Sequence, residues 1–159
     1  MTLTQGLQQK LAGLAPFSSG DELVEILDQA RQLRCRLVAL DSLACAFTRL
    51  ALRADSLAGM SPERLKKTAE ILSARLTYLL EPISPIEIDS QGCVVQMRSN
   101  PPQKESDRTT YYELLVSRTG ELSLSRYARA AGESRQMIPA HVTREVLSRL
   151  VADFSAVAG

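Results

Sequence analysis

The chain has 159 residues, 45% of them hydrophobic, and a formal net charge of +1. That is one domain's length with ordinary apolar content, and no like-charge block or low-complexity tract marks a disordered tail. Residues 1–81 carry 10 basic and 9 acidic groups and residues 82–159 carry 9 of each. The basic excess that nucleic acid or an anionic membrane surface requires is therefore missing.

In chain order, Leu3, Leu7, Leu11 and Leu14 recur at helical spacing, which predicts a short amphipathic helix over residues 3–14, ended before Pro16. The N-terminus has neither a charged n-region nor an apolar h-region, so no signal peptide is expected. The most apolar run, Leu37 to Phe47, is broken by Asp41 and Ser42 and is too short to cross a bilayer. A cytoplasmic protein without membrane contact follows as the expectation.

From Asp21 to about Leu57 no Gly or Pro interrupts the chain. Its apolar residues alternate at steps of three and four: Leu23, Ile26, Ala30, Leu33, Leu37, Leu40, Ala44, Phe47, Ala51 and Ala54. This spacing predicts one long helix with a heptad seam, opened by a Ser19–Glu22 capping box. Such a helix is about 55 Å long at about 1.5 Å per residue. Gly59-Met60 ends it, and Ser61-Pro62 starts a helix over residues 62–80 with Leu65, Ala69, Leu72, Leu76 and Leu79 on one face. The pair reads as a helical hairpin whose longer member outruns its partner. The uncovered seam predicts a coiled-coil homodimer through Leu37, Leu40, Leu43, Ala44, Phe47, Leu50 and Ala51. The rival is an intrachain three-helix bundle in which helix 3–14 gives the cover.

After Pro82 and Pro85 the period changes to two. Ile86 and Ile88, a turn over Asp89–Gly92, then Cys93, Val95 and Met97 read as two strands. Asn100 to Arg108 reads as a polar loop. Thr110–Ser117 and Glu121 to about Arg129 read as a hairpin with Gly120 at the left-handed position of its connection. Residues 130–142 read as a loop, and Thr143 caps a final helix with Val146, Leu147, Leu150, Val151 and Phe154 on one face. The expected class is α+β: a helical region over 1–81, then a four-stranded antiparallel meander covered by a C-terminal helix over 82–159, folding as one unit.

Chemistry is announced mainly by absences. GxGxxG, GxxxxGK[ST], GxSxG and HExxH are all missing. The cysteines are Cys35, Cys45 and Cys93, and the single histidine is His141. Ten residues along one helix, Cys35 and Cys45 would stand roughly 15 Å apart, too far for a disulfide. An odd count without CxxC spacing predicts reduced thiols and neither metal nor cofactor. Cys93 with His141 is the only conceivable nucleophile pair, and the alternation of Cys93 with Val95 and Met97 puts it in the core, where thiols are inert. Asp41 has no basic residue three or four positions away and falls on the polar stripe, as a solvated surface residue. Glu87, Asp89, Glu113 and Glu121 do not converge and read as surface charge.

One cluster stands out: Arg126, Tyr127, Arg129 and Arg135, with Arg98 on a neighbouring strand. Arg126 continues the parity of Leu122 and Leu124 and so points to the covered face. A guanidinium there requires an acceptor. This is either a carboxylate of the same chain or an anionic ligand or partner group. Tyr111, Tyr127 and Arg129 fall on the opposite face. The sequence thus predicts a non-enzymatic protein–protein interaction or adaptor module that pairs with itself through its long helix. The alternative is a small-molecule domain or enzyme with an anion site near Arg126 and Arg135.

Overall fold

The structure, a computed structural model, describes residues 1–79, 81–89, 94–99 and 102–159, with backbone only at 85–89. Three α-helices and a ten-stranded antiparallel sheet make up the described residues. The helices are α1 (Leu3–Ala12), α2 (Pro62–Arg75) and α3 (Arg144–Ala158). The strands are β1 (Glu22–Leu27), β2 (Arg31–Leu40), β3 (Ala44–Ala54), β4 (Ile83–Asp89), β5 (Val94–Ser99), β6 (Gln103–Lys104), β7 (Arg108–Ser117), β8 (Glu121–Ala130), β9 (Gln136–Ile138) and β10 (Ala140–Thr143).

The long helix expected over residues 21–57 does not exist. The stretch forms β1, β2 and β3, closed by a 3-10 turn at Asp55–Leu57. There is accordingly no helical hairpin and no coiled coil, and the four-stranded meander is four strands of a larger sheet. The Ser19–Glu22 box caps nothing, because Glu22 begins a strand. The physical reason lies in the two turns. The Asp28 carboxylate accepts from the N–H groups of Ala30 and Arg31, and the Asp41 carboxylate accepts from those of Leu43 and Ala44. An Asp side chain closing a turn on its own following backbone reverses the chain with no Gly or Pro at all. On both sides of the Asp41 turn the apolar residues also obey period two. Leu33, Cys35 and Leu37 face one side of β2, and Leu50, Leu52 and Ala54 one side of β3, all buried. Three- and four-residue spacing and two-residue alternation are both present in so Leu- and Ala-rich a stretch, and pairing with distant strands selects the second.

The strand order is β1-β2-β3-β8-β7-β5-β4. β8 pairs with β3 only over Glu121–Leu124 and then diverges. The segment from Gln136 to Thr143 fills the gap: β9 pairs with β8 and β10 with β3, on either side of Pro139. Residues expected to form a loop are thus structural. The ladders from β3 to β8 and to β10 cross the boundary drawn between residues 81 and 82, so residues of both parts build one sheet.

All three helices cover one face. Leu3, Leu7 and Leu11 of α1, Leu65 and Leu72 of α2, and Leu147, Leu150 and Phe154 of α3 form one cluster with Leu33, Leu37, Phe47, Leu50, Leu52, Leu114 and Leu124 of the sheet. Burying each such side chain contributes about 1.5–3 kcal/mol. Thr2, Ser61 and Thr143 cap the three helices by accepting from the N–H groups of Gln5, Arg64 and Val146. Two glycines matter. Gly120 turns β7 into β8 at φ +94°, where a Cβ would come within 2.7 Å of the Ala54 carbonyl. At Gly6 a Cβ would come within 2.9 Å of Ile26, so glycine lets α1 lie close against β1. Among the described residues no helix is long and apolar enough to cross a membrane.

Candidate functional site

The arginine cluster is split by the sheet into two networks, one on each face. On the helix-covered face Arg126 lies opposite Tyr112. Its Nη1 donates to Glu81 Oε2 at 2.8 Å, and its Nη2 to Thr110 Oγ1 at 2.9 Å and Gln103 Oε1 at 3.2 Å. The guanidinium stacks 4.5 Å over the Tyr112 ring. The acceptor that Arg126 requires is therefore a carboxylate of its own chain, just before β4. Glu81 Oε1 is buried and has no hydrogen-bond partner among the described residues.

On the open face Glu113 is only 3% exposed, so it is no surface charge. Gln96 Nε2 donates to its Oε2 at 2.7 Å, Arg98 Nε at 3.4 Å, and Arg135 Nη1 donates to the same oxygen. Arg98 stacks over Tyr111 and Arg135 over Tyr127, and the two rings stack at 6.0 Å. The hydrogen bond to Glu113 raises the Arg135 pKa further. Arg135 thereby pins the chain entering β9 onto the sheet. Arg129 Nε donates to the Glu133 carbonyl at 3.2 Å, which holds the exposed turn after β8. Tyr127 and Arg135 adjoin, but Arg126 is behind the sheet from them, so the four residues do not converge on one anion. Glu121 pairs with Arg49.

Of the seven residues assigned to self-association, Leu37, Leu40, Phe47, Leu50 and Ala51 are buried within the sheet layer, and Ala44 is half-buried. Leu43 alone is exposed, at 77%, on the turn between β2 and β3. Its carbonyl accepts from the Arg144 N–H at 2.9 Å. The seam they were to form is absent with the helix.

No nucleophile is assembled from the thiols that are described. Cys93 lies outside the described residues. Cys45 is opposite Val142 and Ala46 is opposite His141, so by alternation Cys45 and His141 face opposite sides of the sheet. Burial pushes the Cys45 thiol up to about 11 and the Cys35 thiol higher still. Both thiols are free, on neighbouring strands rather than along one helix. Among the described residues no group of three His, Cys, Asp or Glu side chains could hold a metal ion. An apolar cleft of about 620 Å³ between Phe17, Leu40, Ala46 and Thr143 has Asp41, Cys45 and His141 in its lining.

The feature that sequence reasoning missed is β1 itself, the last strand in the order and paired on one side only. The Asp28 N–H donates to the Arg31 carbonyl at 3.0 Å, which sets the phase of the β1–β2 ladder. Directly bonded pairs recur at every second residue. With an unbroken register, these are Ile26–Leu33, Val24–Cys35 and Glu22–Leu37. The N–H and C=O groups of Leu23, Glu25 and Leu27 consequently point away from β2, along a free edge. Leu23 and Leu27 are 37% and 65% exposed. α1 runs beside this edge, and between them lie two recesses. One, of about 500 Å³, is lined by Gly6, Gln9, Lys10, Glu25, Ile26 and Leu27, and the other, of about 310 Å³, by Lys10, Gly13, Glu22, Leu23 and Val24. A row of outward donors and acceptors at strand spacing, backed by a groove, is chemically equipped to pair with another extended backbone. Comparison with protein-family models, with curated proteins and with solved structures finds no match to this chain.

Proposed function

We propose that the protein is a non-enzymatic interaction module that takes up an extended segment of a partner protein as a further strand on β1. The observation that carries this reading is the free edge at Leu23, Glu25 and Leu27, aligned with the groove under α1. Main-chain hydrogen bonds would supply affinity, and the recesses beside α1 would read alternate side chains. The buried thiols of Cys35 and Cys45 suit a reducing, cytoplasmic setting. Self-association through a long helix is withdrawn with that helix. An anion site near Arg126 and Arg135 has less support, because both guanidiniums are engaged by Glu81 and Glu113.

The test is selection of binders from a displayed library of unstructured peptides, followed by amide hydrogen exchange on the complex. The expected result is slowed exchange at Leu23, Glu25 and Leu27 with little change at Val24 and Ile26, whose amides already pair with β2. Protection confined to other strands, or no enrichment of any peptide, overturns the proposal.

A further inference from the structure

Resting on that reading, we infer that the captured segment carries a lysine or arginine with an apolar residue two positions to either side. The residues whose backbone groups point outward are the same residues whose side chains lie on the open face of the sheet. Leu23, Glu25 and Leu27 share the parity of Arg36, Arg34 and Gln32 opposite them, whereas Val24 and Ile26 face the core. A residue added beside each falls on the same face, with Cβ atoms about 4.5–5.5 Å apart. Leu23 and Leu27 therefore meet the two apolar positions, and Glu25 meets the one between them.

Charge decides that middle position. Glu25 faces Arg34 Nε on β2 at 3.3 Å, and both side chains are open to solvent. Among the described residues Arg34 is its one ion-pair partner; Lys10 of α1 lines both recesses beside Glu25 without pairing with it. A cationic side chain on the other flank, beyond the edge, would hold the carboxylate between two positive groups, while an acidic one would set like charges directly opposite. The same rule disfavours a second copy of this chain as occupant. Antiparallel pairing of β1 with β1 about Glu25 opposes two carboxylates, and a shift of two residues sets Glu25 against leucine. The intervening residues of the segment project toward α1, into the two recesses.

The experiment uses short synthetic peptides sharing one scaffold, with cores Leu-Thr-Arg-Thr-Leu, Leu-Thr-Gln-Thr-Leu and Leu-Thr-Glu-Thr-Leu, titrated by fluorescence polarisation at low salt. The arginine core is expected to bind tightest, by roughly 3- to 30-fold over the glutamate core. Glu25→Lys should reverse that ranking, and Glu25→Gln should flatten it. Binding of all three cores with equal affinity, with β1 amides still protected, overturns the charge pattern and leaves strand addition standing. Binding of none, with those amides unprotected, overturns both. A doubling of mass by light scattering without peptide, with β1 protected, identifies the second copy as occupant and overturns the inference.

Discussion

The sheet ends in two edges that are built differently. β1 runs Glu22–Leu27 without proline and with an unbroken register to β2. β4 contains Pro85, and its register to β5 shifts between Pro85 and Glu87. Proline gives no N–H to an incoming strand, and a bulge twists the edge away from flat pairing. Just before β4, Glu81 is tied to Arg126 of β8, so the chain entering that edge is also anchored. The β1 edge has instead a helix laid close by through Gly6, with space left between. Open sheets have to protect their edges against unwanted pairing. Here one edge has a proline and a bulge and the other has neither, which leaves the backbone of β1 regular enough to accept a strand.

Prolines at two neighbouring residues of β1 separate its inward from its outward N–H groups. Val24→Pro removes an N–H that bonds Cys35, leaving a buried carbonyl without its donor, at about 2–3 kcal/mol. Glu25→Pro removes an N–H that points to solvent and should change stability by less than about 1 kcal/mol. Urea denaturation measures both. In peptide titrations of the folded proteins, Glu25→Pro should abolish capture. If the two substitutions cost the same stability, the phase assigned to the β1–β2 ladder is wrong.

A smaller effect is expected at the opposite edge. Pro85→Val gives β4 an outward N–H at a position where the wild-type residue has none. Stability should move by no more than about 1 kcal/mol. The informative readout is association: the variant should show a concentration-dependent rise in hydrodynamic radius that the wild type lacks. Unchanged behaviour would mean that the bulge alone guards this edge.

What the sequence disclosed and what it hid divide along the same line. The β7–β8 hairpin falls where the alternation of Tyr112, Leu114, Val116, Leu122 and Leu124 puts it, because Gly120 marks its turn and its partner is the next strand along. α1, the start of α2 and the Thr143 cap of α3 were legible from spacing and capping residues. β1–β3 were not, since Asp28 and Asp41 close their turns without Gly or Pro, and the helical period fits the same leucines and alanines. The ladders that select strands there join Leu50 to Leu124 and Cys45 to Val142, contacts that no local pattern contains. β9 and β10 exist only because β3 and β8 part. Arg126 was readable as a residue requiring an acceptor, but Glu81 was not readable as that acceptor. An edge is a property of strand order, so no window of sequence could have shown that β1 is one.

Acid should separate the two halves of the sheet with the smallest perturbation of all. The β1 half turns on carboxylates. Asp41 lies below its ordinary value because the Ala44 and Leu43 N–H groups bond the ionised form. Asp28 also lies below its ordinary value: partial desolvation pushes it up, but the Arg31 side chain and the Ala30 and Arg31 N–H groups outweigh that. A carboxyl lowered in the folded state stabilises it fully above the unfolded value, about 3.8, and loses that contribution as pH falls from there through the folded value. The β7–β8 turn has no such carboxylate; it is closed by the Gly120 N–H to the Ser117 carbonyl. Amide shifts of the three turns, at Asp28–Arg31, Asp41–Ala44 and Ser117–Gly120, followed by NMR from neutral pH downward, should therefore stay constant to about pH 4. Below that, the amides of the Asp28 and Asp41 turns should move before those of the Ser117–Gly120 turn. Asp41→Ala should remove the acid step of the β2–β3 turn and weaken that turn at neutral pH. Simultaneous loss of both halves would mean that the turns add nothing to the stability of the edge they support.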